Sequence, residues 1–190
     1  MIGLFGGSFD PVHHGHLIVA QIAYEVLGLE QIHFLPARQQ PFKHGRHRSS
    51  PEHRAAMLAL AIEPVPHFVL DQLELERSGP SYTVDTLRAL RANNPAAEFT
   101  LLVGADAAKD LPGWRDVDQI FELAQLVLFA RPGAAIPSLA WRVRSIQVPA
   151  VEISATEVRR RVSLGQPIRY WVPDKVAEYI SQHRLYLDPE

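Results

Sequence analysis

An apolar run, Ile2-Gly3-Leu4-Phe5, breaks at Gly6-Gly7, and a helical period starts a few residues later. Apolar side chains recur at Leu17, Ala20, Ala23, Tyr24 and Leu27, and Gly28 stands where a helix stops. Gln31 to Leu35 then reads as a second strand, closed by Pro36. Strand, helix and strand in so short a span make a βαβ unit, and such units build parallel sheets.

The alternation continues along the chain. Residues 36–50 form a polar loop carrying Arg38, Lys43, Arg46 and Arg48, long enough to have a use of its own. Ser50-Pro51-Glu52 opens a helix that runs to about Ala61, with a cap, a first-turn proline and an acid. Phe68–Leu70 and Leu73–Leu75 read as short strands, and Tyr82–Ala92 as a helix with Val84, Leu87 and Leu90 inward. Phe99–Val103 and Leu126–Ala130 are buried strands, and a last strand is expected near Val148–Ile153. One helix follows Ser154, and Pro173 opens another that ends near His183. With no repeat and no linker, residues 1–190 are expected to form a single doubly wound α/β domain.

Composition narrows the function. A formal charge of -2, with 47% hydrophobic and 21% charged residues, speaks against a general nucleic-acid or membrane binder. No run approaches the ~20 apolar residues of a membrane helix, and no basic flank marks a signal peptide, so a cytoplasmic protein is expected. Without cysteine there is no disulfide, thiolate metal site or cysteine nucleophile.

Ligands of open parallel sheets bind beyond the carboxyl ends of the strands. Gly6-Gly7-Ser8, Gly104-Ala105-Asp106, Arg131-Pro132-Gly133 and Ser154-Ala155-Thr156 all stand at such ends and should meet along one edge. The turn from Gly6 to His16 lacks both common phosphate-loop patterns, yet its glycines permit close backbone approach and the helix behind it offers N–H groups to an anion. A plain strand-to-helix connection is the alternative. His13 and His16 share a helical face and can donate to phosphate oxygens, becoming cationic beside an anion. A metal site of His13, His14 and His16 is the rival, without the spacing of zinc hydrolases. Ser154 and Glu157 fit a reciprocal capping box, while Thr156 and Arg159 on the same helix opening would make a second phosphate site. Arg160 and Arg161 read as solvated. Trp114 is either a lid on the core or a face for an aromatic ring. Tyr82, Thr83 and Thr86 sit at a helix start, where donors could receive a carboxylate.

Gly6-Gly7-Ser8-Phe9-Asp10-Pro11 with His13-x-Gly15-His16, followed by Ile153-Ser154-x-Thr156-x-x-Arg159, resembles the HxGH nucleotidylyltransferase superfamily. Pro80-Ser81-Tyr82-Thr83-x-x-Thr86, Gly104-x-Asp106, Leu111-Pro112-x-Trp114 and Arg131-Pro132-Gly133 are similar to the bacterial nicotinate mononucleotide adenylyltransferases. The likeness covers nearly the whole chain. It implies a Rossmann-like nucleotidylyltransferase fold. It also implies adenylyl transfer from ATP, with Mg²⁺, to nicotinate mononucleotide, giving deamido-NAD and pyrophosphate in NAD biosynthesis.

By the same resemblance, Gly6, Gly7, Ser8, Phe9, His13 and His16 would contact ATP, with Ser154, Thr156 and Arg159 at its β and γ end. His13, His16 and Arg159 would be catalytic. Gly104 and Asp106 would hold the nucleotide riboses, and Trp114 would stack on the pyridine ring. Tyr82, Thr83 and Thr86 would lie near the pyridine carboxylate, with Lys43 and Arg131 also on the substrate side. Many members carry histidine before that lysine, where this chain has Phe42 and puts His44 after it, and Arg38 stands where Asn is common. The resemblance therefore assigns no role to Arg38, Phe42 or His44. Sibling enzymes acting on nicotinamide mononucleotide or phosphopantetheine, a non-catalytic nucleotide-binding module and a metal-dependent hydrolase stay open as alternatives. The oligomeric state is open too.

Overall fold

The computed structural model describes residues 1–41, 47–130, 132–133 and 136–188. Its strands β1 (Ile2–Gly7), β2 (Gln31–Pro36), β3 (Phe68–Leu70), β4 (Phe99–Gly104), β5 (Gln125–Ala130) and β6 (Arg144–Gln147) make one sheet in the order β3-β2-β1-β4-β5-β6. Every neighbouring pair is parallel. The helices are α1 (His14–Leu27), α2 (Pro51–Ile62), α3 (Leu73–Glu76), α4 (Thr83–Asn93), α5 (Val117–Leu123), α6 (Ala155–Ser163) and α7 (Asp174–Gln182), with a 3-10 helix at Ala107–Gly113.

Side chains alternate across a strand, so the two faces feed two cores. Phe5, Ile32, Phe34, Leu102, Val127 and Ile146 pack under α1, α2, α6 and α7. Leu4, Leu35, Leu101, Val103, Leu126 and Leu128 pack under α4, α5 and the 3-10 helix. Covering both faces is what lets the central strands β1, β4 and β5 be largely apolar, each fully buried side chain contributing about 1.5–3 kcal/mol before entropy is set against it. The doubly wound arrangement read from the sequence is the one the chain adopts. Ser50 caps α2 by accepting from the His53 N–H at 3.3 Å, and Gly28 ends α1 at φ 61°.

Two expected strands are corrected. Leu73–Leu75 is part of a helical turn, not a strand. Asp71 Oδ1 accepts the Leu73 N–H at 3.1 Å, and Gln72 O takes the N–H groups of Leu75 and Glu76. The final strand is Arg144–Gln147, not Val148–Ile153. Val148 still donates to Ala130 O, but Pro149 has no N–H to extend the ladder and Val151 donates back to Pro149 O. The 3-10 helix and α5 were not anticipated; Pro112 and Gly113 mask the first and shortness masks the second.

The chain runs outward from β1 through β2 to β3, then returns to place β4 on the other side of β1. Strand order therefore reverses between β1 and β4, and a ligand crevice opens beyond their carboxyl ends. Among the described residues no helix is long and apolar enough to cross a membrane.

Candidate active site

Gly6 and Gly7 carry the chain out of β1 at this switch point. A Cβ on Gly7 would lie 2.9 Å from the Phe9 ring, so the turn closes only over glycine. Phe9 itself sits at φ 47° and is 1% exposed, its ring edge-on to Phe5 and His16. Its side chain is thus a wedge under the turn and offers no surface to a ligand. Beneath the turn, the buried Arg54 guanidinium donates through Nη1 to Ser8 O at 2.9 Å and to Ala37 O at 2.7 Å. One cation therefore ties the end of β1 to the end of β2. Burial lowers its pKa, and the charge of Asp10 works against that shift.

His13 is the N-cap of α1, and its backbone N–H donates to His16 Nδ1 at 3.2 Å. The two rings stack with centroids 3.7 Å apart. Gly15 leaves room for the stack, since a Cβ there would press on the His13 ring from 3.0 Å. Burial, with the charge of His14 adding to it, pushes the His13 pKa down to about 4. In the free protein this ring is therefore neutral, with no anion beside it to raise its pKa. His14 stands apart from the stack, its N–H bound to Trp171 O.

The second helix opening lies against the first, for Ile153 O is 3.6 Å from a Cβ built on Gly15. Ser154 Oγ caps α6 by accepting from Glu157 N–H at 3.2 Å. The capping box is not reciprocal, because the Glu157 carboxylate pairs with Nε and Nη2 of Arg160. Arg159 donates to Thr156 Oγ1 at 3.2 Å and to Asp10 O at 2.8 Å, which joins the two motifs directly. Arg161, expected in solvent, lies over the Trp171 ring at 4.9 Å.

The remaining residues fall along the same edge. Gly104 ends β4, and the exposed Asp106 pairs with Lys109 at 2.9 Å. Ala37 N–H donates to Gly7 O, and Arg38 N–H to Ser81 Oγ at 3.1 Å, so the end of β2 bridges the glycine turn to the start of α4. Tyr82 is the N-cap of α4, with the Arg115 guanidinium 5.0 Å from its ring, and this draws the Trp114 loop toward Tyr82. Trp114 is half-buried against the second core. Thr86 departs from expectation. It is 3% exposed, and its hydroxyl donates to the buried Glu74 at 2.8 Å while accepting from Arg77. Burial raises the Glu74 pKa, and the hydroxyls of Thr86 and Ser81 oppose that. Lys43 and Arg131, like Phe42 and His44, lie outside the described residues.

Sequence reading passed over Arg54, Glu74 and Ser49, and gave no role to Asp10, though it stands inside the glycine-turn motif, or to Tyr186. Of the three passed over, only Arg54 left a signal, standing on the same helical face as Met57, Leu58 and Ala61.

A switch-point crevice rimmed by two helix openings, a histidine stack and an arginine marks a doubly wound α/β protein with its open edge where such sheets take ligands. A family model described as cytidylyltransferase-like matches residues 4–161. A protein of Thermomicrobium roseum named "Probable nicotinate-nucleotide adenylyltransferase" is 46% identical over 97% of this chain and 91% of its own. One of the same name in Thermus thermophilus is 46% identical over 97% of this chain and 98% of its own. The structure of Plasmodium falciparum nicotinic acid mononucleotide adenylyltransferase complexed with NaAD matches with a TM-score of 0.80. It covers 97% of this chain and 96% of that one at 20% identity, a likeness of fold. The chain belongs to the cytidylyltransferase-like family, on the branch of the nicotinate-nucleotide adenylyltransferases.

Proposed function

We propose that the protein transfers the adenylyl group of ATP to nicotinate mononucleotide, releasing pyrophosphate and deamido-NAD, and that residues 1–190 act as one catalytic domain. The observation that carries this reading is a likeness to relatives of that name that spans both helix openings and the segments between them. The acceptor phosphate has a second pKa of about 6 and is mostly a dianion at neutral pH, so it needs no general base. One of its oxygens forms a bond to the α-phosphorus while the bond from that phosphorus to the bridging oxygen breaks. Catalysis then rests on alignment and on donors placed where charge builds on the leaving pyrophosphate.

In this reading Gly6, Gly7 and Ser8 bring the backbone close to the ATP phosphates. His13 and His16 donate to them, and Ser154, Thr156 and Arg159 take the β and γ end. Phe9 serves from below by shaping the turn. Gly104 and Asp106 hold ribose hydroxyls, Trp114 stacks on the pyridine, and Tyr82 with Thr83 receives its carboxylate. Thr86 supports that helix start from within, and Lys43 and Arg131 are assigned to the substrate side. A divalent ion held by phosphate oxygens and water needs few protein ligands. Mg²⁺ is accordingly assigned to the ATP, as its complex. When bound it neutralises phosphate charge. A chain without cysteine needs no oxidising compartment, and we place the reaction in the cytoplasm.

Purified protein with Mg-ATP and, in turn, nicotinate mononucleotide, nicotinamide mononucleotide and phosphopantetheine tests the reading by pyrophosphate release and product analysis. The nicotinate acceptor is expected to give the highest kcat/KM. Preference for either of the others overturns the assignment.

A further inference from the structure

Four stretches of chain meet at one acidic residue behind the phosphate turn. Asp10 is 4% exposed. Its Oδ2 accepts the backbone N–H of Arg48 at 2.6 Å and of Ser49 at 3.4 Å, with His47 Nδ1 at 3.9 Å. Its Oδ1 accepts the Ser49 hydroxyl at 2.5 Å and the Tyr186 hydroxyl at 2.6 Å. Its backbone carbonyl accepts Arg159 Nη1 at 2.8 Å. A buried carboxylate is tolerated only when its lone pairs are answered, and here donors from two other segments answer them while a third, through Arg159, holds the backbone carbonyl.

We propose that Asp10 is a positioning residue for the nucleoside triphosphate, and that Tyr186, on the carboxyl-terminal segment, belongs to the same device. The proposal rests on the ATP site described above. Asp10 lies between the glycine turn and His13, so any drift of its backbone moves the carbonyl that holds Arg159 and the start of α1 together. The carboxylate fixes that backbone against the 47–49 end of the basic loop and against Tyr186. The tail is held firmly enough to keep two bulky residues left-handed, Arg184 at φ 52° and Tyr186 at φ 61°, a conformation that non-glycine residues keep only where the surroundings impose it. Burial, then the neighbouring Asp10 charge, pushes the Tyr186 phenol well above its ordinary pKa and keeps it a donor.

The test is Mg-ATP binding to the full chain by calorimetry, with steady-state kinetics alongside. Tyr186→Phe is expected to weaken Mg-ATP binding by about fivefold or more and to raise KM for ATP in step, with the acceptor KM within about twofold. Asp10→Asn should act in the same direction, and Ser49→Ala serves as the milder variant if either fails to fold. Tyr179→Phe, which removes a hydroxyl bonded to His53 on α2, should leave ATP binding unchanged. Lowered thermal stability with wild-type ATP binding in Tyr186→Phe and Ser49→Ala overturns the proposal and leaves the reaction untouched. Wild-type protein that binds Mg-ATP yet transfers to none of the three acceptors overturns the reaction and leaves the positioning role standing.

Discussion

The backbone N–H of His13 donates to Nδ1 of His16, and the two imidazoles stack with their centroids 3.7 Å apart. Because Nδ1 of His16 is an acceptor, the neutral ring carries its proton on Nε2. His16 is therefore set as a hydrogen-bond donor of fixed tautomer, with the His13 ring stacked against it, before any phosphate arrives, which lowers the reorganisation left for the transition state.

Gly15→Ala separates this positioning from stability. Alanine favours a helix over glycine by about 1 kcal/mol, so the denaturant midpoint should hold or rise. The new Cβ would press on the His13 ring from 3.0 Å and tilt the stack. Turnover is expected to fall by about tenfold or more. Unchanged turnover in a folded variant would contradict the stacking account.

The neutral, buried His13 makes stability depend on pH. Its folded pKa of about 4 is below the unfolded 6.5, so the unfolded chain binds the extra proton between those values. The contribution is complete above 6.5, and up to about 3 kcal/mol is lost as pH falls toward 4. Urea titrations at pH 7 and pH 4.5 should show this slope, and His13→Gln should flatten it.

Arg54→Met removes a buried cation that holds the carbonyls of Ser8 and Ala37. Two acceptors lose their donor and Asp10 loses a counter-charge, so a cost of about 3–5 kcal/mol is expected in equilibrium unfolding. A loss under about 1 kcal/mol would show that the guanidinium is not what ties β1 to β2.

Thr86→Val takes the hydroxyl from Glu74 while keeping the shape of the side chain. The buried carboxyl then lacks a donor, and stability should fall by about 1–3 kcal/mol. As Tyr82 caps the same helix, the KM for the mononucleotide should rise while that for ATP holds.

Local pattern made some of this architecture readable in the chain and hid the rest. β1, α1 and Gly28 follow from apolar period and a left-handed stop, both local signals. Leu73-Glu74-Leu75-Glu76 alternates as a strand would, yet Asp71 caps it into a helical turn and Glu74 goes inside to meet Thr86. β6 begins at Arg144 on the sheet edge, where charged residues protect a strand and hide it from a hydrophobicity reading. The histidine pair and Arg159 were visible because their motifs are compact. The bonds that orient them were not: Asp10 and Tyr186 are 176 residues apart, and Asp10 and Arg159 are 149 apart, beyond any periodicity.

The most direct test of adenylyl transfer by this site is pyrophosphate release from ATP and nicotinate mononucleotide by wild-type protein and by His16→Ala. Wild-type protein is expected to form deamido-NAD and pyrophosphate in equal amounts. The variant should turn over at least about a hundredfold more slowly with its thermal midpoint nearly unchanged. Near-normal turnover in His16→Ala, or no dinucleotide from the wild type, would contradict the account.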